Sequence, residues 1–222
     1  DQYGNSVQGV DVTVQANGPA SVTGTSTTQV TTDGVGVAVF NNLEIQEAGS
    51  YNLSFSIDTA DPNVTANDEA QTNNFTVEAA NANSVTVQTE PDGTQTAGQL
   101  ITGSPSANVT DQYGNPVENV DVDVVETGGY TFDSGTTTQA TDGTGVASFG
   151  DLVINQTGTY GLEFSIDNAD GNVDAADTAQ SQTFDVQPAT VDSITAYNVT
   201  ATAGQQSEIN VTAEDAYSNT VV

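Results

Sequence analysis

The chain has 222 residues with 30 acidic side chains and no lysine, arginine or histidine, so its formal net charge is −30 at pH 7. It also lacks cysteine, methionine and tryptophan. Binding to nucleic-acid phosphates needs lysine or arginine, and so does docking on anionic lipid, so both are excluded. The composition also excludes catalysis by a histidine or lysine base, a cysteine nucleophile, disulfide bonds and lysine isopeptide crosslinks.

The first elements along the chain are turns and strands. The turn Asp1–Val7 contains glycine and asparagine, which tolerate the positive φ of tight turns. Apolar and polar residues alternate over 10–14 and again over 51–57, and this period of two indicates strands with one buried and one wet face. Between them, the Asp-Gly pair of Thr32–Ala38 indicates a second turn. No apolar run is long enough for a transmembrane helix.

These elements return in the same order at a spacing of about 105–110 residues, a length typical of one domain. The first turn has two further copies, Asp111–Val117 and Asp215–Val221, and the Asp-Gly turn returns as Thr141–Ala147. The long alternating strand returns over 160–166. The sequence therefore predicts an all-β protein of tandem Ig-like β-sandwich domains arranged as a rod.

The phase of the repeat predicts three parts. Residues 1–79 form an Ig-like domain that lacks its opening strands, residues 80–189 form a complete domain, and residues 190–222 are the opening strands of a third. About seven short strands in one repeat are typical of an Ig-like sandwich. In the complete domain they are predicted at 84–89, 105–110, 119–126, 136–140, 145–154, 158–167 and 181–187.

Two arrangements account for this phase. The chain is a window of a longer tandem array, or it is a free subunit that joins other copies head to tail by strand complementation. In the second arrangement, residues 190–214 provide the missing opening strands to residues 1–79 of the next copy. Residues 215–222 would then duplicate residues 1–8.

Three motifs, taken in order, resemble the bacterial Ig-like domain, group 1, of invasin- and intimin-type surface proteins, which occurs as tandem repeats in bacterial and archaeal surface glycoproteins. They are an Asp-x-Tyr-Gly-Asn-x-Val turn, a Thr-Asp-Gly-x-Gly-x-Ala segment and a Gly-x-Tyr segment, found at 111–117, 141–147 and 158–160 and again at 1–7, 32–38 and 49–51. The resemblance implies an extracellular rod or stalk, in which adhesion usually belongs to a terminal domain.

An acidic loop follows the long alternating strand of each repeat. Carboxylate and amide oxygens in a flexible loop suit Ca²⁺, which takes about six to eight oxygen ligands. A solvated acidic loop without a metal accounts for the same residues. The candidate ligands are Asp58, Asp61, Asn63 and Asp68 in the first repeat and Asp167, Asp170, Asn172, Asp174 and Asp177 in the second.

Sequons for N-linked glycosylation occur throughout the chain, and together they favour an extracellular, glycan-bearing surface. They begin at Asn52, Asn63, Asn74, Asn108, Asn155, Asn198 and Asn210.

The sequence favours a structural function and no enzymatic activity, because no pattern indicates a catalytic cleft. The main hypothesis is a segment of an extracellular filament, stalk or surface-layer protein, whose partners are neighbouring copies or repeats of itself. The alternative is an adhesin or virion-fibre module that binds a glycan or another cell. The wholly acidic surface is also typical of a halophilic protein, because hydrated carboxylates keep a chain soluble in high salt.

Overall fold

A computed structural model describes residues 1–169, 171–197 and 200–222. The chain divides into unit 1, which comprises Asp1–Ala80 with Tyr113–Asn115, and unit 2, which comprises Asn81–Gln112 with Pro116–Val222. All regular elements of the described ranges are strands, and these ranges contain no helix that is long and apolar enough to cross a membrane. The predicted all-β class is confirmed, whereas the division into three parts of a repeat stays a prediction.

Unit 1 contains one antiparallel sheet of five strands. They are β1 Asp11–Asn17, β2 Gln29–Thr31, β3 Gly49–Ile57, β4 Asp68–Gln71 and β5 Phe75–Val77. The order is β2-β1-β3-β4, and β5 pairs with the beginning of β3. Val12 lies opposite Ile57, and Val14 lies opposite Phe55, so the alternating apolar residues of β1 and β3 share one face.

The described residues of unit 2 form twelve strands. They are β6 Ala82–Thr89, β7 Thr94–Thr96, β8 Ser106–Asp111, β9 Asp121–Glu126, β10 Thr138–Ala140, β11 Val146–Ser148, β12 Gly158–Tyr160, β13 Leu162–Ile166, β14 Asp177–Gln180, β15 Phe184–Gln187, β16 Val191–Ala196 and β17 Val211–Asp215. One sheet has the order β11-β8-β6, a second has the order β10-β9-β13-β14, and a third has the order β12-β15-β7. The last two strands form a separate antiparallel pair, the β16–β17 hairpin.

The core of unit 2 lies between the first two sheets, because β6 contacts both β13 and β14. Its central side chains include Val109, Val122 and Phe164, all completely buried. Asp121 and Asp123 alternate with Val122 along β9 and are exposed. Burying an apolar side chain of this size contributes about 1.5–3 kcal/mol, so contact between the sheets stabilises the sandwich while the acidic residues coat its outside.

Each repeat contains a tyrosine corner, a hallmark of Ig-like sandwiches in which a tyrosine hydroxyl bonds to the backbone just upstream. The hydroxyl of Tyr51 donates to the carbonyl of Glu47 at 2.9 Å, and that of Tyr160 donates to the carbonyl of Gln156 at 3.0 Å. Both tyrosines are buried. The predicted Ig-like fold class is thus confirmed.

The Thr-Asp-Gly segment closes a turn in each repeat. In the second repeat, one carboxylate oxygen of Asp142 accepts hydrogen bonds from the hydroxyl and backbone N–H of Thr144 and from the N–H of Val146. These bonds favour the ionised form and lower the pKa of Asp142. Gly145 has a φ of 78°, and a Cβ there would lie 2.7 Å from the carbonyl oxygen of Val109, so the second glycine of the motif is needed.

Two strand predictions for the complete domain were wrong in part. The predicted strand 145–154 is a regular strand only over Val146–Ser148, because beyond Phe149 the chain leaves β8 and bonds instead to residues of two other loops. The predicted strand 158–167 is divided into β12 and β13, which belong to different sheets.

Two further strands were not predicted. The sequence analysis placed Asp177, the first residue of β14, in the acidic loop, and the sequence gave no signal for β7. Its central residue, Gln95, is polar yet buried, since its amide bonds to Thr102 and to the carbonyl of Asp92.

Candidate functional site

The third copy of the Asp-x-Tyr-x-Asn turn is held together by one carboxylate. Oδ1 of Asp215 accepts hydrogen bonds from the backbone N–H groups of Tyr217 and Asn219, both at 2.9 Å. Oδ2 accepts the side-chain amide of Asn219 and the N–H of Ala189, also at 2.9 Å. Asp215 and Asn219 are both buried, so the turn is a rigid, closed unit.

The hydrogen bonds determine the charge of this carboxylate. Burial alone would raise the pKa of Asp215, but the bonds from Asn219, Ala189 and Tyr217 outweigh it and lower the pKa to about 2. Hydrogen bonds to the ionised form lower the pKa of several carboxyl groups among the described residues. They are Asp33, Asp61, Asp142, Asp151 and Asp215.

The side chain of Asn219 in this turn also binds a loop of the preceding sandwich. The side-chain amide of Asn219 donates to the carbonyl of Asn155 at 2.7 Å, and its Oδ1 accepts the N–H of Thr157 at 3.0 Å. The carbonyl between them, that of Gln156, is held by the tyrosine corner of Tyr160. The loop is therefore preorganised on one side and bound by Asn219 on the other, an arrangement called here the asparagine clamp.

The tyrosine of the turn adds a second contact within unit 2. Gly98, with a φ of 73°, lies directly under the ring of Tyr217, and a Cβ there would lie 2.0 Å from the tyrosine oxygen. Only glycine leaves room for this approach. The turn thus contacts one loop through the side-chain amide of Asn219 and another loop through the ring of Tyr217.

Unit 1 contains the same clamp, made by Asn115. Its side-chain amide donates to the carbonyl of Gln46 at 2.7 Å, and its Oδ1 accepts the N–H of Ala48 at 2.8 Å. The carbonyl of Glu47 between them is bonded by Tyr51. The two clamps therefore use the same atoms at equivalent places in the repeat.

The first copy of the turn has the same internal geometry without a bound loop. Oδ1 of Asp1 accepts the N–H groups of Tyr3 and Asn5 at 2.9 Å, and Asn5 Nδ2 donates to Oδ2 of Asp1 at 3.1 Å. All five residues are exposed. Within the described ranges, the hydrogen bonds of residues 1–5 stay among these residues, so the turn has this shape without a bound loop.

The sequence contains a signal for the clamp. Aspartate, tyrosine and asparagine recur at positions 1, 3 and 5 of all three turns, while the residues between them differ in the third copy and the residue directly after them differs in every copy. The motif predicted a tight turn but not the recipient of the asparagine side chain, because the loop it binds is recognised through backbone atoms.

The predicted calcium ligands of the second repeat face different partners. Asp177 accepts the hydroxyl of Ser84 and the N–H of Val85, and Asp174 accepts the side-chain amide of Asn81. Asn172 donates to the carbonyl of Asn119, and Asp167 accepts the N–H of Ala169. Asp170 lies outside the described residues.

The equivalent residues of the first repeat are used in a similar way. Asp61 accepts N–H groups from Asp11 and Asn63, which lower its pKa, while Asn63 donates to the carbonyl of Gly9. Asp58 and Asp68 accept the N–H groups of Ala60 and Glu69. In the described part of the chain, no three acidic residues converge as a metal site would require, and the calcium site stays a prediction.

The sequons lie in different environments, and their glycosylation stays a prediction. The asparagine side chains at Asn63, Asn74 and Asn210 are exposed, those at Asn52, Asn108 and Asn155 are half-buried, and Asn198 lies outside the described residues. Two of the asparagines already donate with the nitrogen that a glycan would occupy, Asn63 to Gly9 and Asn52 to Asn74.

One face of unit 1 is open. In unit 2, β11 pairs with β8, but the equivalent segment of unit 1, residues 37–39, belongs to no strand, and Val37 and Val39 are exposed. A cleft of about 660 Å³ lies beside it, lined by Val10, Val12 and Ile57 among others. We call this half-buried side of β1 and β3, together with residues 37–39, the open face.

Several solved structures are similar to this chain. Invasin, a bacterial integrin-binding protein, matches all of this chain at 16% identity with a TM-score of 0.42, and InvD of Yersinia pseudotuberculosis matches all of it at 16% identity with a TM-score of 0.48. The D00-D0 domain of intimin matches 62% of the chain, and 64% of its own length, at 14% identity with a TM-score of 0.34.

This chain spans 42% of the invasin structure and 64% of the InvD structure. No family model and no curated protein matches the sequence. Invasin and intimin are the proteins whose domains the motifs resemble. At these identities the similarity concerns the fold alone, and the description of that fold rests on the sheets and tyrosine corners of this chain.

Proposed function

We infer that the chain is a structural segment of an extracellular filament, stalk or surface-layer protein, in which Ig-like repeats of the same protein are one another's partners. The observation that carries this proposal is the asparagine clamp, made with the same atoms by Asn115 and by Asn219. The same bond pattern in both units is what a protein built from one repeated module is expected to show.

The clamp suits a chain in which every side-chain charge is negative. Salt bridges between repeats need a cationic side chain, and the sequence has none. The clamp instead uses neutral amides, each of whose hydrogen bonds contributes about 0.5–1.5 kcal/mol. Because no charge pair is involved, salt does not screen these bonds.

The extracellular location is part of the proposal. It is supported by the exposed sequons, by the dense negative charge and by the motif resemblance to surface glycoproteins. N-linked glycans at the exposed sequons, and Ca²⁺ on the acidic loops, are proposed as additions to the surface.

The experiment that tests this function is immunogold electron microscopy of the source surface, with an antibody raised against this chain. A structural segment is expected to be labelled at repeated positions along a thin fibre or across a layer. Labelling only at the distal tip of a fibre would contradict the proposal and favour an adhesin. Absence of label from the surface would contradict the extracellular location.

One observation favours the alternative, an adhesin or virion-fibre module that binds a glycan. A cleft of about 530 Å³ in unit 2 is lined by Tyr130, Asp133 and Tyr217, and half-exposed tyrosine rings beside a carboxylate suit a sugar. A glycan array tests it. Saturable binding that Tyr130→Ala removes and Tyr3→Ala preserves would establish this function, and a silent array would exclude it for the glycans displayed.

A further inference from the structure

We propose that the buried side chain of Gln95 braces β7, so that the β7–β15 pair is the joint through which unit 2 resists tension along the chain. This inference rests on the proposed function, because a segment of a filament or stalk transmits force from one end of its chain to the other. Gln95 is a positioning residue in this role, since it acts through the strand that it holds.

The β7–β15 pair joins the beginning of the sandwich of unit 2 directly to its end. β7 lies near the start of the unit, and β15 is the last strand before the β16–β17 hairpin. β6, which precedes β7, pairs instead with β8 inside the sandwich. The two strands of the joint run parallel, with Thr94 opposite Asp185 and Thr96 opposite Gln187. Tension therefore pulls β7 and β15 lengthwise past each other.

A load in this direction is shared by all the bonds of the pair. The N–H of Asp185 donates to the carbonyl of Gly93 at 3.0 Å, and the N–H of Ala97 donates to the carbonyl of Gln187 at 2.9 Å. Bonds between parallel strands are evenly spaced, so sliding one strand past the other strains them together. A strand that is peeled from its end loses its bonds one at a time and resists less.

Gln95 strengthens this short joint by holding β7 to the chain on both sides of it. It lies at the centre of β7, opposite Val186, and is 5% exposed. Its side-chain oxygen accepts the N–H of Thr102 at 2.8 Å and the hydroxyl of Thr102 at 3.1 Å. Its side-chain nitrogen donates to the carbonyl of Asp92 at 2.6 Å. These bonds are called here the glutamine brace.

The loop that the glutamine brace holds is itself fixed to the sandwich. The N–H of Asp92 donates to the carbonyl of Thr102 at 3.0 Å, which closes the loop around β7. The N–H of Ile101 donates to the carbonyl of Leu152 at 2.9 Å, and Leu152 is completely buried. β7 is thus anchored to the rest of unit 2, and it cannot slide along β15 while the brace is intact.

The polar character of Gln95 is what suits it to this role. Burying an amide costs stability unless its hydrogen bonds are made, and an apolar side chain could fill the same space. Apolar contact is non-directional, however, and gives little resistance to sliding. Hydrogen bonds weaken steeply as their geometry is lost, so they oppose a small displacement of β7.

The third copy of the repeat has a different residue at this position. The segment Thr-Ala-Gly-Gln occurs at 96–99 and again at 202–205, and the residues that precede it are Gln95 and Ala201. The brace therefore belongs to unit 2 and is not part of the repeated motif. Because the repeat itself uses alanine here, we expect Gln95→Ala to fold.

The experiment stretches the full chain between its two ends at constant force in an optical trap. Unit 2 contains more residues than unit 1, so its unfolding is recognised by the greater length of chain released. Gln95→Ala is expected to unfold unit 2 at least about tenfold faster than the native chain, because the removed bonds oppose the step that limits forced unfolding.

The matched control is Thr141→Ala. Thr141 is also buried, and its hydroxyl donates to the carbonyl of Val117 at 2.7 Å and accepts the N–H of Val120 at 2.9 Å, but it bonds to neither β7 nor β15. Both variants are expected to lose stability in urea, whereas the control should accelerate forced unfolding by less than about threefold. Equal acceleration in the two variants, or none in Gln95→Ala, would overturn the proposal.

A change in the direction of pulling tests the joint without altering Gln95. Thr131 lines a cleft with Gln156, and Gly158 pairs with Val186, so Thr131 lies near the end at which the chain leaves β15. A handle on Thr131→Cys, in a chain with no other cysteine, allows pulling between this site and the C terminus.

Pulling from Thr131→Cys peels β15 from its end, whereas pulling the same variant between its two ends shears the joint. At equal force, the sandwich is expected to open at least about tenfold faster when it is peeled. Equal or slower opening in the peeling direction would overturn the β7–β15 pair as the joint, whatever the behaviour of Gln95→Ala.

Failure of this inference is distinguishable from failure of the proposed function. Immunogold labelling shows where the chain lies, and the trap measures how unit 2 resists force. Labelled fibres together with an unchanged unfolding rate in Gln95→Ala would leave the structural function standing and overturn only the brace. Acceleration by Gln95→Ala without labelling of the surface would support the brace and contradict the proposed function.

Discussion

The long central strands of the two repeats have one sequence pattern and two different degrees of burial. In unit 2, Leu162, Phe164 and Ile166 are at most 2% exposed. Their counterparts in unit 1, within β3, are only half-buried. Tyr51 and Tyr160, at the beginning of these strands, are equally buried at 1%. The difference is therefore confined to the part of the strand that the β6–β8 hairpin covers in unit 2.

This comparison separates two properties that a period-two pattern combines. Alternation determines which side chains share a face of a strand, because successive residues point to opposite sides. Whether that face is buried depends on a second sheet, which is contributed by residues distant in sequence. The complete and the open sandwich can therefore share a pattern and differ in stability.

The largest effect is expected for Phe164→Ala compared with Phe55→Ala. Phe164 is fully buried, so its truncation is expected to lower the free energy of unfolding of unit 2 by about 3–5 kcal/mol. Phe55 is half-buried, and its truncation is expected to cost less than half of that. Urea denaturation of the full chain measures both, and equal losses would contradict the comparison.

A smaller difference is expected at the second glycine of the Thr-Asp-Gly segment. Gly145→Ala brings a Cβ against the backbone of β8 in addition to the strain of positive φ, and is expected to cost about 2–3 kcal/mol. Gly36→Ala has the same strain, but its Cβ would lie 2.9 Å from the Cβ of Ser6 and no closer than 3.2 Å to any backbone atom, so it is expected to cost about 1–2 kcal/mol. Thermal melts of both variants test this ranking, which fails if Gly36→Ala is the more destabilising.

The clamp can be tested by comparing a bound and an unbound turn. Asn219→Ala removes two hydrogen bonds to the loop and is expected to weaken docking by about 1–3 kcal/mol. Hydrogen exchange at the N–H of Thr157 should then accelerate. The matched control is Asn5→Ala, in the exposed turn, which should leave exchange at Thr157 unchanged. Unchanged protection in Asn219→Ala would show that the clamp does not hold the loop.

The smallest effect concerns pH. Because the pKa of Asp215 falls from 3.8 to about 2 on folding, its ionised form stabilises the turn. This stabilisation is fully present above pH 3.8 and is lost as the pH falls towards 2. Exchange of the N–H of Tyr217 should therefore accelerate over this interval in the native chain but not in Asp215→Asn. Parallel curves for the two proteins would exclude Asp215 as the titrating group.

Much of the fold was predictable from local patterns. The alternating valines of β9, the turn residues and the Gly-x-Tyr segments all describe interactions within a few residues of one another. The strand β7 was not predictable, since its buried Gln95 depends on bonds to Thr102 that no periodicity shows. The alternating pattern also did not predict that β3 of unit 1 is only half-buried, because burial of this strand depends on a hairpin contributed by residues outside it.

The candidate site was harder to foresee. The Asp-x-Tyr-x-Asn turn was visible as a motif, but the function of its asparagine depends on a loop whose recognised atoms belong to the backbone. The acidic loops were predicted as calcium ligands from their composition. That prediction stands as it was made, but sequence alone does not show the hydrogen bonds that these carboxylates accept, such as the one from the N–H of Val85 to Asp177.

The clamp also bears on how such a protein changes over time. Asn115 and Asn219 bind loops with different side chains, Gln46–Ala48 in one case and Asn155–Thr157 in the other, through hydrogen bonds to the main chain of the loop. Most substitutions in the loop therefore leave these bonds intact. The loop sequence is free to drift by mutation, without a compensating change in the turn, while the contact between turn and loop is inherited unchanged.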